Sequence, residues 1–388
     1  MFSHRTNWHR QPNRLAKLLD ARRASGKPIY DLTVSNPTEC GFTYPEQEIL
    51  SALSHVKALQ YHPDPRGSLS ARQAVSEYYR AKGIIVAPTN ISLTASTSEA
   101  YSLMFKLLCN HGDSILVPKP SYPLFEYLAQ VNDVHLQHYL LRYDHEWQID
   151  IDSIRNAVTP QTKAIVLVNP HNPTGTFIKK DEYQQIVQIT KAHQLALIVD
   201  EVFIDYPLCD DETRLGSTAC ESEVLTFTLN GISKMIGLPQ MKLGWVVVSG
   251  ESLVVSEAVE RLEILCDTFL SVNTPVQVAL PKLIEHRKIT QRQILQRIRS
   301  NFSYLQSHIS NHQSPYSVLT AEGGWYAIIR VPRTHTDEEW ALQVLEQKGV
   351  CVHPGYFFDF DEEGYLVVSL LVAEKMFHHA VGELANLF

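Results

Sequence analysis

From about Asn90 to Gly250 the chain alternates between two hydrophobic rhythms. Short runs rich in Val, Ile, Leu and Thr ("NISLTA", "DSILVP", "KAIVLVNP", "LALIVDEV", "VLTFTL" and "GWVVVSG") are each bounded by turn residues and are predicted as strands. Between them "SEAYSLMFKLLCNHG" and "KDEYQQIVQITKAHQ" place apolar residues three and four apart, the period of an amphipathic helix. Strand runs that are apolar throughout need cover on both faces. The pattern therefore predicts an α/β domain of three layers, a mostly parallel sheet between helices. A long helical region follows, "SLVVSEAVERLEILCDTFLSV" and then "ITQRQILQRIRSNFSYLQSHI", which reads as a connector. Beyond it "GGWYAIIRVP", "DEEWALQVLEQKG", "VCVHPG" and "GYLVVSLLV" predict a smaller α+β domain with a closing helix. The N-terminal "NRLAKLLDARRASGKPIYDLTVSNP" reads as a helix and a strand. The expected division is residues 45–270 for the large domain, and 1–44 with 271–388 for the small one.

Composition narrows the class of partner. The chain has 388 residues, 44% apolar and 20% charged, enough for a sizeable core in two domains. A formal charge of -8 without a dense Lys/Arg run argues against nucleic acid or an anionic membrane surface, and a small-molecule ligand is expected. No segment approaches the roughly 18 apolar residues that span a bilayer, and "MFSHRTNWHRQPNR" is followed by no apolar stretch, so a cytoplasmic location is expected. Cys40, Cys109, Cys209, Cys220, Cys266 and Cys351 lack CxxC spacing and read as free thiols. The 17 histidines form no HExxH or paired His/Cys motif, and His378 and His379 point to different sides of a helix, so no metal site is expected. No GxGxxG follows a strand, and the SxxK at Ser54–Lys57 has no KTG partner.

In an open α/β sheet, ligands sit outside the carboxyl ends of the strands. After "NISLTA" comes Ser96 to Ala100, hydroxyls at a helix start, where free backbone N–H groups suit a phosphate and equally make an ordinary cap. After "KAIVLVNP" comes "HNPTG", with Asn172 in a proline-stiffened turn. After "LALIV" stand Asp200 and Glu201, and after "VLTFTL" comes Lys234. Taken singly these are a cap, a turn, an ion-pairing acid and a surface lysine.

Together, in this order at successive strand ends, they carry a resemblance. "VNPHNPTG", "VDEVF" and "SKMIGLPQMKLGW" resemble the "NPxNPTG", "DExY" and "SKxxxxxGxRxG" patterns of the class I/II aminotransferases, fold-type I pyridoxal-phosphate enzymes, and the likeness runs over nearly the full chain. It implies an aspartate-aminotransferase-like fold and pyridoxal 5'-phosphate held by Lys234 as a Schiff base. It further implies Asp200 against the ring nitrogen, Asn172 on the phenolic oxygen and Tyr122 stacked on the ring. Thr97, Ser98 and Ser233 would bind the phosphate, and Tyr61 would reach it from the neighbouring subunit of a homodimer. Lys234 would then serve as general acid and base in moving an amino group between an amino acid and a 2-oxo acid.

The sequence departs from the pattern at four places. Gly231 replaces a phosphate-binding serine, Lys242 an arginine on the phosphate, Phe203 a tyrosine on the ring oxygen, and Val367 the arginine that clamps the substrate carboxylate. With Val367 there, the carboxylate is expected to fall to Asn36 and Asn172, with Arg66 a further candidate. A lyase on the same scaffold, eliminating or decarboxylating, is the alternative reaction, and a cofactor-binding protein without turnover is the alternative class.

Overall fold

The computed structural model describes residues 1–8, 10–309 and 315–387. Its central sheet has eight strands in the order Ile91–Thr94, Gly244–Ser249, Thr226–Gly231, Ala196–Asp200, Thr162–Val168, Ser114–Lys119, His135–Asp144 and Glu146–Ile149. From Thr226–Gly231 to His135–Asp144 neighbouring strands pair in parallel. Gly244–Ser249 runs antiparallel to both its neighbours, and Glu146–Ile149 closes the far edge as a hairpin.

The apolar strand runs follow from this layering. All five residues of Ala196–Asp200 are buried. Ile198 enters a cluster with Ala100, Leu103 and Leu262 from helices Thr97–Leu108 and Ser252–Phe269. Leu197 and Val199 enter another, with Ile186 of helix Lys180–Ala192. Alternate side chains thus feed different cores, which is why no polar alternation appears. The strand His135–Asp144 was not among the expected runs, and its burial explains why. Only Tyr139 and Leu141 are buried in it, and the rest of "HLQHYLLRYD" is half-solvated near the sheet edge.

The connector is the single helix Thr274–Ile309, 36 residues long. Its first half puts Val276, Leu280 and Leu283 against Tyr78 and Trp245 of the large domain. Its second half puts Ile294, Ile298 and Leu305 into a cluster with Trp325, Val350 and Phe377. The small domain holds an antiparallel sheet in the order Ser317–Val318, Tyr326–Arg330, Tyr365–Ser369, His353–Pro354. The N-terminal strand Tyr30–Asp31 pairs in parallel with Val350–Cys351 and so belongs with this domain. No helix among the described residues is long and apolar enough to cross a membrane.

Candidate active site

Parallel strands deliver their carboxyl ends to one edge of the sheet. Asp200 ends its strand, Asn172 follows Thr162–Val168, and Lys234 lies in the one-turn helix Ile232–Met235 directly after Thr226–Gly231. Ser96 opens helix Thr97–Leu108 after Ile91–Thr94. Since Gly244–Ser249 runs the other way, Lys242 and Leu243 before it reach the same edge. These residues line one cavity of about 340 Å³, joined by Tyr122, Phe203, Ser233 and, from outside the large sheet, Ser35 and Tyr326.

One end of the cavity is a capped helix start. Ser96 Oγ accepts the Glu99 N–H at 3.1 Å while the Glu99 carboxylate accepts the Ala95 N–H at 2.6 Å, a reciprocal cap. Thr97 and Ser98 follow at the first helical positions, where backbone N–H groups have no carbonyl within the helix to meet and the helix dipole is positive. Lys242 is held at φ 51, a left-handed conformation that costs a residue with a side chain about 1 kcal/mol. Gly231 is explained by crowding. A Cβ there would lie 3.0 Å from both the Gly244 Cα and the Leu243 carbonyl oxygen, so the serine of the family pattern would force two backbones apart.

The other end holds a buried charge pair. Asp200 Oδ2 accepts the Tyr101 hydroxyl at 3.1 Å and Oδ1 accepts the Val202 N–H at 3.0 Å. Burial pushes the Asp200 carboxyl up to about 6, opposed by those two hydrogen bonds and by the positive charge of Lys234. Burial likewise lowers the Lys234 amine, with Asp200 opposing it. Its Nζ sits 5.1 Å from the Trp325 ring centroid and 5.8 Å from that of Phe203, and these two rings meet edge to face. The Tyr206 hydroxyl donates to the Lys234 carbonyl oxygen at 2.7 Å, fixing the turn that carries the amine. Asn172 Oδ1 is buried with no hydrogen-bond partner.

Glu322 fastens the small domain to this edge. Its N–H donates to the Gly175 carbonyl at 3.0 Å and its carboxylate accepts the Phe177 N–H at 2.8 Å. Gly175 stands at φ 72, and a Cβ on it would come within 2.6 Å of the Gly323 carbonyl oxygen, so only glycine lets the two turns touch. Trp325 and Tyr326 follow that contact and are thereby set against Lys234 and the cavity.

Of the residues singled out from sequence, Thr97, Ser98, Tyr122, Asn172, Asp200, Phe203, Ser233, Lys234 and Lys242 come together here. Three do not line the cavity. Tyr61 is 79% exposed on the surface. Asn36 turns its Oδ1 onto the Thr38 N–H and hydroxyl, at 3.2 and 2.8 Å, and it is Ser35 beside it that faces the cavity. Arg66 donates to the Thr89 carbonyl at 2.8 Å and pairs with Glu263 at 3.0 Å, away from the cavity. Four residues at the site were missed. Tyr101 reads in sequence as part of an apolar helix face, Ser35 adjoins a residue that was chosen, and Trp325 and Tyr326 follow a double glycine that hints at a close backbone approach.

A three-layer α/β fold with a buried lysine and aspartate at the strand ends defines an enzyme cleft of the fold-type I kind. Residues 29–384 match the model of the family "Aminotransferase class I and II", and the chain belongs to that family. It is 29% identical over 367 residues to the glutamate-pyruvate aminotransferase AlaA of Haemophilus influenzae, covering 93% of this chain and 91% of that one. To the alanine aminotransferase of Mycobacterium tuberculosis it is 28% identical over 378 residues, covering 94% and 86%. Among solved structures, an aminotransferase from Escherichia coli superposes with a TM-score of 0.87 at 26% identity, covering 100% of this chain and 97% of that one. The chain is an aminotransferase.

Proposed function

We propose that this cleft takes pyridoxal 5'-phosphate and moves an amino group between an amino acid and a 2-oxo acid. The observation that carries the reading is a buried amine and a buried carboxylate facing one cavity whose far end is a capped helix start. These groups fit the cofactor's three polar parts. Thr97 and Ser98, with Ser233 and Lys242, would hold the phosphate. Asp200 would keep the ring nitrogen protonated, since a buried carboxylate gains most from a cationic partner. The Asn172 side-chain N–H would donate to the ring oxygen, leaving its buried Oδ1 free, and Tyr122 would lie on the ring face. When bound, the cofactor supplies an electron sink for the carbon beside the nitrogen.

Lys234 would hold the cofactor covalently through its carbonyl carbon, the carbonyl oxygen leaving as water. Once released it is an amine whose buried setting favours the neutral form, so it can take a proton from the substrate carbon and return it nearby. Phe203 and Trp325 keep water from that amine while their faces still tolerate its charged form. Tyr61 stands on a surface that also exposes Leu50, Val56 and Leu59, which supports a homodimer in which it serves the neighbouring site. Six free thiols fit a cytoplasmic setting. The test is borohydride reduction of the purified protein followed by peptide mapping. A cofactor fixed on Lys234 is expected, and fixation elsewhere or none would refute the assignment.

A further inference from the structure

The apolar cluster behind Tyr326, which lines the cavity, offers no fixed cation. Val367 is fully buried, paired in register with Ile328 on one side and His353 on the other. The pleat places it on the same sheet face as Tyr326, whose register partner Ser369 is two residues on. Val367, Ile328 and Phe358 share one apolar cluster with Tyr326 packed on it, so a guanidinium's place is taken by hydrocarbon and an aromatic wall. His353 is held neutral by burial. Among the described residues lining the cavity, Lys234 and Lys242 are the only cations, and the cofactor would engage both. Arg66 is committed to Glu263, and Arg297 donates to the Cys40 and Leu371 carbonyls at 3.2 and 3.1 Å, outside the cavity.

What remains at this end is neutral. The Ser35 and Tyr326 hydroxyls bond to each other, and from the sheet end of the same cavity the Asn172 Oδ1 is a buried acceptor in want of a donor. An alcohol or an amide can donate to such an acceptor, whereas a carboxylate can only accept. A carboxylate would also lie unpaired near the Asp200 charge and the phosphate, which disfavours it further.

We propose that the amino substrate this cleft prefers carries an uncharged hydrogen-bonding group, a hydroxymethyl or a carboxamide, where an α-amino acid carries its carboxylate. The inference rests on the amino-transfer reading and names the substrate class within it. An amino alcohol would leave as the hydroxy-carbonyl compound, its carbon oxidised from amine to carbonyl. The acceptor's carbonyl is reduced to an amine in exchange, so no outside oxidant is needed, and α-amino acids remain weaker donors.

The test uses the holoenzyme and two amines that lack the transferable hydrogen, 2-amino-2-methylpropan-1-ol and 2-aminoisobutyric acid, so that binding is read without turnover. Each is titrated against the visible band of the bound cofactor. The alcohol is expected to bind more tightly by about tenfold, corresponding to about 1.4 kcal/mol. Equal or tighter binding of the acid overturns the proposal. So does failure of both to perturb the band while borohydride still fixes the cofactor on Lys234. Loss of that fixation would instead bring down the function itself, and this inference with it. In Tyr326→Phe the alcohol's affinity should fall while the acid's stays unchanged, and an equal loss for both would overturn the role given to the hydroxyl end.

Discussion

At the sheet end of the cleft Asp200, Asn172, Thr97 and Lys234 all stand at the carboxyl ends of strands, each placed by backbone hydrogen bonding within one rigid layer. At the other end Ser35, Trp325 and Tyr326 come from segments outside that layer and are fixed by a few contacts, chiefly Glu322 on the Gly175 turn. The first end keeps the lysine, aspartate and asparagine of its family pattern and departs from it only around them, at Gly231, Lys242 and Phe203. The second departs from it at Val367, and the departure is filled with packed hydrocarbon. A rigid sheet edge can keep a cofactor's partners in register, while a turn-built wall can change its chemistry without disturbing them.

The strongest way to break this contrast is at Lys234. Lys234→Ala should abolish the borohydride-fixed adduct and lower turnover by a factor on the order of 10⁴ or more, as losses of a covalent catalyst do. The protein should still fold, because the Tyr206 hydroxyl bonds to the backbone carbonyl at 234 and needs no side chain there. Turnover within a factor of ten of the native enzyme would contradict the covalent role.

Asp200 comes next and separates catalysis from stability. Asp200→Asn should cut turnover roughly 10²- to 10³-fold, because the ring nitrogen loses its anionic partner. The cofactor-free protein should respond in the opposite sense. Burial pushes the folded carboxyl up to about 6 from its ordinary 3.8, so that burial costs nothing below pH 4, costs increasingly as pH rises from 4 to 6, and levels off above. The gap of about two units amounts to about 3 kcal/mol. The apo variant should therefore unfold at higher denaturant than apo wild type at pH 7, with the difference vanishing near pH 4. An equal gap at both pH values would sink the argument.

The same contrast governs what could be read from sequence. Six of the eight strands were legible because burial on both faces leaves uninterrupted apolar runs, and residues after such runs are where a parallel sheet puts a ligand. His135–Asp144 was not, since a half-solvated strand next to the edge mixes His, Gln and Arg with Leu and Tyr. Tyr101 escaped because its ring is packed with Phe105 and Phe125 and only its hydroxyl reaches Asp200. Asn36 and Arg66 were chosen for chemistry that their own loops consume, on Thr38 in one case and on Thr89 and Glu263 in the other. Local sequence shows that a side chain could bind. Whether a neighbour has already engaged it depends on the folded surroundings, from Thr38 in the same turn to Glu263 on a distant helix.

Phe203 sharpens the comparison within the sheet end. Its ring packs edge to face on Trp325 and near Lys234, and it cannot donate a hydrogen bond. A phenol at this position would stabilise the ionised ring oxygen and so weaken the hold on the proton shared with the Lys234 nitrogen. Phe203→Tyr should lower the pKa of the bound cofactor's visible band by about one unit, the scale of one charge-assisted hydrogen bond. A spectrophotometric titration showing an unchanged or higher value would count against it.

The smallest effect is expected at Arg66, and its smallness is the point. If the substrate end were merely missing one arginine and borrowing another, Arg66 would be the cation to borrow, and Arg66→Ala would weaken every carboxylate-bearing substrate strongly. In the structure its guanidinium pairs with Glu263 and caps the Thr89 carbonyl, about one-fifth of its side chain exposed. Such a partly exposed pair contributes about 0 to 1 kcal/mol to stability, and nothing to a cavity it does not line. Arg66→Ala should therefore leave KM for α-amino acids within about twofold, the scatter of a surface substitution, with at most a slight drop in Tm. Tyr326→Phe, by contrast, should change the discrimination between amino alcohol and amino acid. A tenfold rise in KM for amino acids alone in Arg66→Ala would place a cation at the substrate end after all, and the neutral wall around Val367 would no longer explain what the cleft selects.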